Sequence, residues 1–192
     1  AIVAALRFRA TPEPARDFTP PVSVCKPLPG LEREFYELLA GFCRQDYPEY
    51  EVLFGVADPQ DPSVAVVERL RADFPRLPIR LVVADRRYGP NRKVDKLDKM
   101  YREMRYGFLA ISDSDMRVTP DYLRRVMAPL RDPRVGLVTC FYRGEHGGTL
   151  ASIFEALGLS GEFHPSAMTA RMLEGVKFAF GSTMATRKEL VE

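Results

Sequence analysis

Apolar residues along this chain follow two alternating periods. Runs at 22–28 (VSVCKPL), 50–58 (YEVLFGVAD), 79–85 (IRLVVAD), 107–115 (GFLAISDSD) and 135–143 (VGLVTCFYR) have strand length and are rich in β-branched residues. Their nearly unbroken hydrophobicity predicts strands covered on both faces. Between them the period lengthens. Leu31, Phe35, Leu38, Leu39 and Phe42 recur along one helical face and predict a helix over 31–45. Asp61 before Pro62 reads as an N-cap with proline at the first helical position, and Val64, Val67, Leu70 and Phe74 continue its inner face. Thr119–Pro120 repeats the device ahead of Leu123, Val126, Met127 and Leu130. Strand alternating with helix predicts an α/β fold, a Rossmann-like, mostly parallel sheet with helices on both faces. The chain contains no internal repeat and no low-complexity tract.

In such a sheet, ligands bind outside the carboxyl ends of the strands. Four of those ends read KPLPG, ADPQDP, ADRRYGPNRK and SDSD. On a continuing strand, Asp113 and Asp115 would point to the same side, where two like charges are best offset by a cation. Carboxylate oxygens suit the hard ions Mg²⁺ and Mn²⁺, whose shells phosphate oxygens commonly complete, so the pair points to a metal-bound diphosphate. Arg86, Arg87, Arg92 and Lys93 would neutralise the remaining phosphate charge. Taken singly, Asp58 reads as a turn former before Pro59 and Lys93 as a solvated helix residue; their convergence on one edge favours a ligand. The absence of GxxxxGK[ST] and GxGxxG excludes a P-loop and a dinucleotide-binding turn. Pro27, Pro29 and Gly30 form a stiff loop suited to lie against a base or ribose.

Composition narrows the remaining classes. With 192 residues, 46% of them hydrophobic, the chain can bury one sizeable core but not two. Its net charge of +2 comes from basic residues spread along the chain, which gives no nucleic-acid footprint. Three widely separated cysteines, Cys25, Cys43 and Cys140, with two histidines, read as reduced and mostly buried. The opening AIVAALRFRA is too short to span a bilayer and has its arginines after the apolar run, unlike a signal peptide. It reads either as a disordered or surface-packed start or as the last turns of a membrane helix, with Arg7, Arg9 and Arg16 on the cytoplasmic side. Residues 11–21 form a Pro-rich linker.

The segments VCKPLPG, FCRQDYPEYEVLFGVADPQDP, GPNRKVDKL, SDSDMRVTPDYL, VGLVTCFYRG, FHPS and FGSTMATRKEL occur in this order over 22–190. Together they resemble the ceramide glucosyltransferase-like branch of the inverting, nucleotide-sugar-dependent glycosyltransferases, including bacterial relatives associated with hopanoid lipids. The resemblance implies a glycosyltransferase A-type fold, a UDP-sugar donor, Mn²⁺ or Mg²⁺, and a membrane lipid acceptor. It places Asp58 at the uracil and ribose and Lys93 behind the diphosphate; with these, the strand-end reading adds Arg92 and Pro27 to the nucleotide-sugar-binding residues. Asp113 falls near the ribose and metal, and Asp115 on the metal. His164 falls near the donor and acceptor, and Gly181 and Ser182 in a loop below the sugar. The family's catalytic aspartate and its Q/R-x-x-R-W motif do not occur in these residues, so the resemblance puts the base and the membrane elements beyond Glu192. It divides the chain into a membrane-proximal stub and linker (1–21), a nucleotide-sugar-binding region (22–145) and the start of an acceptor-side region (146–192).

Residues 148–183 are apolar and amphipathic with little strand alternation. Ile153, Phe154, Leu157, Leu159 and Phe163 read as core by default; exposed together, they would form a patch able to meet lipid. Two rival classes share part of the pattern. A sugar nucleotidyltransferase would use the same sheet and carboxylate-bound metal, but KPLPG is a poor match for its Gly-rich loop. A nucleotide-sugar-binding module without catalysis would keep the donor residues alone.

Overall fold

A computed structural model describes residues 1–31, 34–145 and 148–191. The strands are β1 (Val22–Pro27), β2 (Tyr50–Val56), β3 (Ile79–Val83), β4 (Phe108–Ser112), β5 (Leu137–Thr139) and β6 (Thr183–Arg187). The α-helices are α1 (Ile2–Arg9), α2 (Phe35–Cys43), α3 (Ser63–Asp73), α4 (Arg92–Glu103), α5 (Tyr122–Met127), α6 (Leu150–Gly158) and α7 (His164–Glu174). The chain forms two units, one of residues 15–139 and 181–192, the other of residues 1–14 and 140–180.

The larger unit is a six-stranded sheet in the order β3-β2-β1-β4-β6-β5. β1 pairs in parallel with β2 and β4, and β2 with β3. Every residue of β1 and β2 is buried, as their apolar runs predict. Helix α2 buries Leu38, Leu39 and Phe42, and α3 buries Val67 and Leu70. The predicted start of α2 lies partly outside the described residues, and Leu31 is exposed rather than on the inner face. Asp61 acts one residue earlier than predicted: its Oδ1 accepts from the Ser63 amide and hydroxyl at 2.9 and 2.6 Å, and α3 starts after Pro62.

Helix α4 escapes the periodicity because it is mostly charged. Ion pairs Asp98–Arg102 and Lys99–Glu103 lace its outer side. Met100 enters a core of Cys25, Leu53, Val82, Met104 and Leu109. Gly55 allows this close approach, since a Cβ there would lie 2.7 Å from Met100 Sδ.

The far side of the sheet departs from the sequence reading. The predicted strand 135–143 shrinks to the three residues of β5, which pairs antiparallel with β6 at the sheet's edge and is partly exposed. β6 itself, antiparallel to β4, has no predicted counterpart. Its threonines and arginine mask the strand, although Ala185 is fully buried. The cysteines Cys25 and Cys43 are buried, Cys140 is partly so, and all are free. Burial pushes the thiols of Cys25 and Cys43 up to about 12, which keeps them protonated and unreactive.

In the smaller unit, α1 packs along α7. The Phe8 ring stands edge-on to Phe141 at 5.2 Å and under the Arg171 guanidinium at 5.0 Å. Among the described residues of this unit only Ala4 and Ala167 are buried. The default expectation of a core at Ile153, Phe154 and Leu157 therefore fails: all three are exposed, as are Leu150 and Leu173. Among the described residues no helix is long and apolar enough to cross a membrane.

At the amino-terminal edge of the parallel strands, Glu51 is fully buried. Its Oε1 accepts from Ser23 Oγ and from the Arg105 amide, both at 2.7 Å, with Arg80 and Arg105 guanidinium groups 3.8 and 3.7 Å from Oε2. Truncating one member of such a network strands the others. Glu51→Ala is expected to lower the free energy of unfolding by about 3 kcal/mol in a urea titration, with Glu51→Gln costing clearly less because it keeps an acceptor. Equal losses would show that the charge, not the hydrogen bonds, matters.

Candidate functional site

β2 and β3 lie on one side of β1 and β4 on the other. The chain therefore crosses over in opposite directions from the middle of the sheet, leaving a crevice outside the carboxyl ends of β1 and β4. Because β6 runs antiparallel, with Thr183 opposite Ser112, its beginning reaches the same edge. That register delivers Gly181 and Ser182 beside the end of β4.

Asp113, the first residue past β4, is held from three sides. Its amide donates to the Ser182 carbonyl at 3.2 Å, its carbonyl accepts from the Lys26 ammonium, and its Oδ1 pairs with the Lys93 ammonium. Lys93 and Asp113 side chains are 37% and 36% exposed, so solvent screens the pair and it contributes about 1 kcal/mol or less. Gly181 lies alongside, where an added Cβ would stand 3.7 Å from Lys93 Nζ. Lys26 is different: it is fully buried, with its ammonium 3.4 Å from Ser112 Oγ and 3.5 Å from the centre of the Phe42 ring. Burying an ammonium costs several kcal/mol, which a desolvated cation–π contact of about 2 kcal/mol and charge-assisted hydrogen bonds offset.

A groove of about 680 Å³ opens beside these residues, lined by Leu28 and Pro29 after β1, Ala57 after β2, and Arg92, Lys93 and Lys96 from α4. Asp61 is the carboxylate set against those three cations. Burial, then the charges of Arg92 and Lys93, lower the Lys96 pKa against the pull of Asp61. Its ammonium donates to the Leu28 carbonyl. The amino end of α4 faces the same groove, capped by Asn91 Oδ1 accepting from the Lys93 amide at 3.0 Å. Converging cations and a helix amino terminus suit a multiply charged anion.

The structure groups some predicted residues and separates others. Lys93, Asp113, Gly181 and Ser182 meet, and Arg92 lines the adjoining groove. Pro27 is the buried last residue of β1. Asp58 is exposed past β2, with its Oδ1 accepting from the Gln60 amide at 2.8 Å, the turn-forming role. Its strand lies two spacings from β4, about 10 Å, on the same edge. The strand-alternation argument for Asp113 and Asp115 does not hold, because β4 stops at Ser112 and Asp115 sits exposed in a turn. His164 belongs to the smaller unit, where its ring packs against Phe141 at 5.1 Å and its Nε2 is buried without a partner among the described residues. Lys26, Ser112 and Lys96 are additions from the structure. The signal for Lys26 was a charge inside the apolar run VSVCKPL.

Among the described residues no cluster of three or more His, Cys, Asp or Glu could hold a metal ion. The carboxylates next to the end of β4 are Asp113, whose Oδ1 pairs with Lys93, and Asp115, exposed in the turn that follows; carboxylate oxygens are hard donors of the kind that suit a divalent cation.

An open sheet with a switch point between β1 and β4, an antiparallel strand added beyond it and a D-x-D just past β4 defines the glycosyltransferase A-type fold. The chain belongs to glycosyl transferase family 21, whose profile matches residues 1–192. It is 29% identical over 137 residues to a ceramide glucosyltransferase of Gibberella zeae, covering 66% of this chain and 26% of that protein. It is 31% identical over 116 residues to ceramide glucosyltransferase 1 of Caenorhabditis elegans, covering 60% and 24%. The chain thus spans about a quarter of the length of these curated relatives. Among solved structures, the mannosyltransferase PcManGT of Pyrobaculum calidifontis, in complex with GDP-Man and Mn²⁺, superposes with a TM-score of 0.71 at 23% identity, over 97% of this chain and 51% of that one. Glucosyl-3-phosphoglycerate synthase of Mycobacterium tuberculosis, with Mn²⁺, UDP and glucosyl-3-phosphoglycerate, gives 0.60 at 15% identity, over 91% and 59%. At these identities the two structures establish the shared fold.

If the groove is an anion site, Lys93→Met lowers its affinity for pyrophosphate about tenfold or more in calorimetry, since a charge-assisted hydrogen bond is lost. Unchanged affinity would place the anion elsewhere.

Proposed function

We propose that this chain is the donor-binding part of a glycosyltransferase that moves a sugar from a UDP-sugar to the hydroxyl of a membrane lipid, ceramide or hopanoid in type, with inversion. The observation that carries the reading is Asp113, held at the switch point between β1 and β4 and paired with a lysine that also lines a cationic groove. Family membership and relatives named ceramide glucosyltransferases support the reaction class and the lipid acceptor. Neighbours solved with GDP-Man and Mn²⁺, or with UDP and Mn²⁺, support a nucleotide-sugar donor with a divalent cation.

In this reading, Pro27 and its loop border the nucleotide and Asp58 meets the uracil and ribose. Lys93 leaves Asp113 and, with Arg92 from the groove wall, neutralises the diphosphate. Asp113 and Asp115 hold Mn²⁺ or Mg²⁺, which when bound offsets the charge of the departing UDP. Gly181 and Ser182 lie under the sugar, with the glycine giving the backbone room to approach it. His164 serves the acceptor side. Inversion requires the base and the diphosphate on opposite faces of the sugar, and the base is a carboxylate outside residues 1–192. Membrane association, with this region on the cytoplasmic side, rests on segments beyond these residues.

Calorimetry with UDP in Mn²⁺ and in EDTA tests the donor site. UDP is expected to bind at least about tenfold tighter with Mn²⁺, and Asp115→Asn to remove most of that gain without lowering the melting temperature, because the side chain is exposed. Equal affinity in both buffers would overturn a metal-dependent site. With labelled UDP-glucose and ceramide, residues 1–192 should transfer no sugar above the no-enzyme control, since base and acceptor positioning each contribute about 10²-fold or more. Transfer above that control would place the base within these residues.

A further inference from the structure

Lys26 is a buried cation outside the groove to which the proposed donor chemistry gives no task. It is the penultimate residue of β1, fully buried, in a run whose neighbours Val24 and Cys25 are apolar core. Alternation along the strand sends Cys25 toward Met100 on α4 and Lys26 toward Phe42 on α2. An unbranched apolar side chain would fill the same space over the Phe42 ring without any charge to desolvate, so packing alone does not call for an ammonium there. What the ammonium adds is directional: it donates to Ser112 Oγ and to the Asp113 carbonyl.

The second of these contacts bears on the site. The peptide before Asp113 is fixed by its amide donating to the Ser182 carbonyl. The peptide after Asp113 is fixed by its carbonyl accepting from Lys26. With both flanking peptides anchored, the direction in which the Asp113 side chain leaves the main chain is set even though β4 has already ended at Ser112. The Asp113 side chain itself contacts Lys93, a groove residue that must let go when an anion arrives. An exchangeable partner on the side chain calls for a fixed one on the main chain.

We propose that Lys26 is a positioning residue for the metal and diphosphate, acting through the Asp113 backbone rather than on the ligand. This rests on the reading of the crevice as a UDP and metal site. Lys26→Met keeps the length of the side chain and its packing on Phe42 while removing the donor. The purified 192-residue chain and the variant are compared by thermal melting, and by calorimetry with UDP in Mn²⁺ and in EDTA. The variant is expected to melt at or above the wild-type temperature, to lose at least about fivefold of the Mn²⁺-dependent gain in UDP affinity, and to change less than about twofold in EDTA. A purely structural role would instead lower the melting temperature and weaken UDP equally in both buffers, and that outcome overturns the inference. So does a Mn²⁺-dependent gain that survives the substitution. Should Lys26→Met fail to fold, Lys26→Leu decides: it removes the same donor with a more compact apolar side chain over Phe42 and leaves the Ser112 hydroxyl in place, and a loss of at least about fivefold in the Mn²⁺-dependent gain supports the role, whereas an unchanged gain overturns it. A wild-type chain that binds no UDP in either buffer overturns the donor-site reading and this inference with it; wild-type binding beside an unaffected variant overturns this inference alone.

Discussion

β1 pairs in parallel on both sides, with β2 on one and β4 on the other, and the geometry of the crevice follows from that pairing. Parallel neighbours bring their carboxyl ends to one edge, and leaving the centre in two directions prevents the connecting loops from closing over it. The aspartates at 58, 113 and 115, the proline loop after β1 and the amino end of α4 therefore share an edge although they are distant in sequence. β6 adds to this by running the other way, so that its start, not its end, arrives beside Asp113.

The two ends of this sheet use buried charge in opposite ways. At the amino-terminal edge, a hydroxyl and an amide bond one oxygen of the Glu51 carboxylate, and two guanidinium groups stand beyond hydrogen-bond range of the other and balance its charge. At the carboxyl edge, cations outnumber the carboxylate lining the groove, and desolvation already lowers the Lys96 pKa. Like charges brought together at a cost in stability are characteristic of a surface that is completed by its ligand.

The smaller unit has a different character. It buries two alanines among its described residues and exposes Leu150, Phe154, Leu157 and Leu173, while its aromatic rings gather around Phe141, Phe163 and Phe180. A cluster of rings without an enclosing core is held by ring edges and faces rather than by close packing.

Much of this was legible from the sequence because burial leaves a periodic trace in each segment. The strands β1 to β4 lie in fully or largely apolar runs, the inner faces of α2, α3 and α5 show as spaced hydrophobics, and the acidic strand ends mark the ligand edge. The motifs in order also sufficed to indicate the family. What the sequence could not decide depends on contacts between segments that carry no common period. Charged α4 meets the sheet through Met100, admitted by the opening at Gly55, with Leu97 and Tyr101 packed beside it. β6 is a strand only because β4 and β5 offer it hydrogen bonds on both sides. Strand β4 ends before its aspartates, so what orients Asp113 is not strand alternation but Ser182, Lys26 and Lys93, three residues from three separate segments. A lysine in an apolar run is visible in the sequence; that its ammonium reaches a particular carbonyl is decided only when the strands pair.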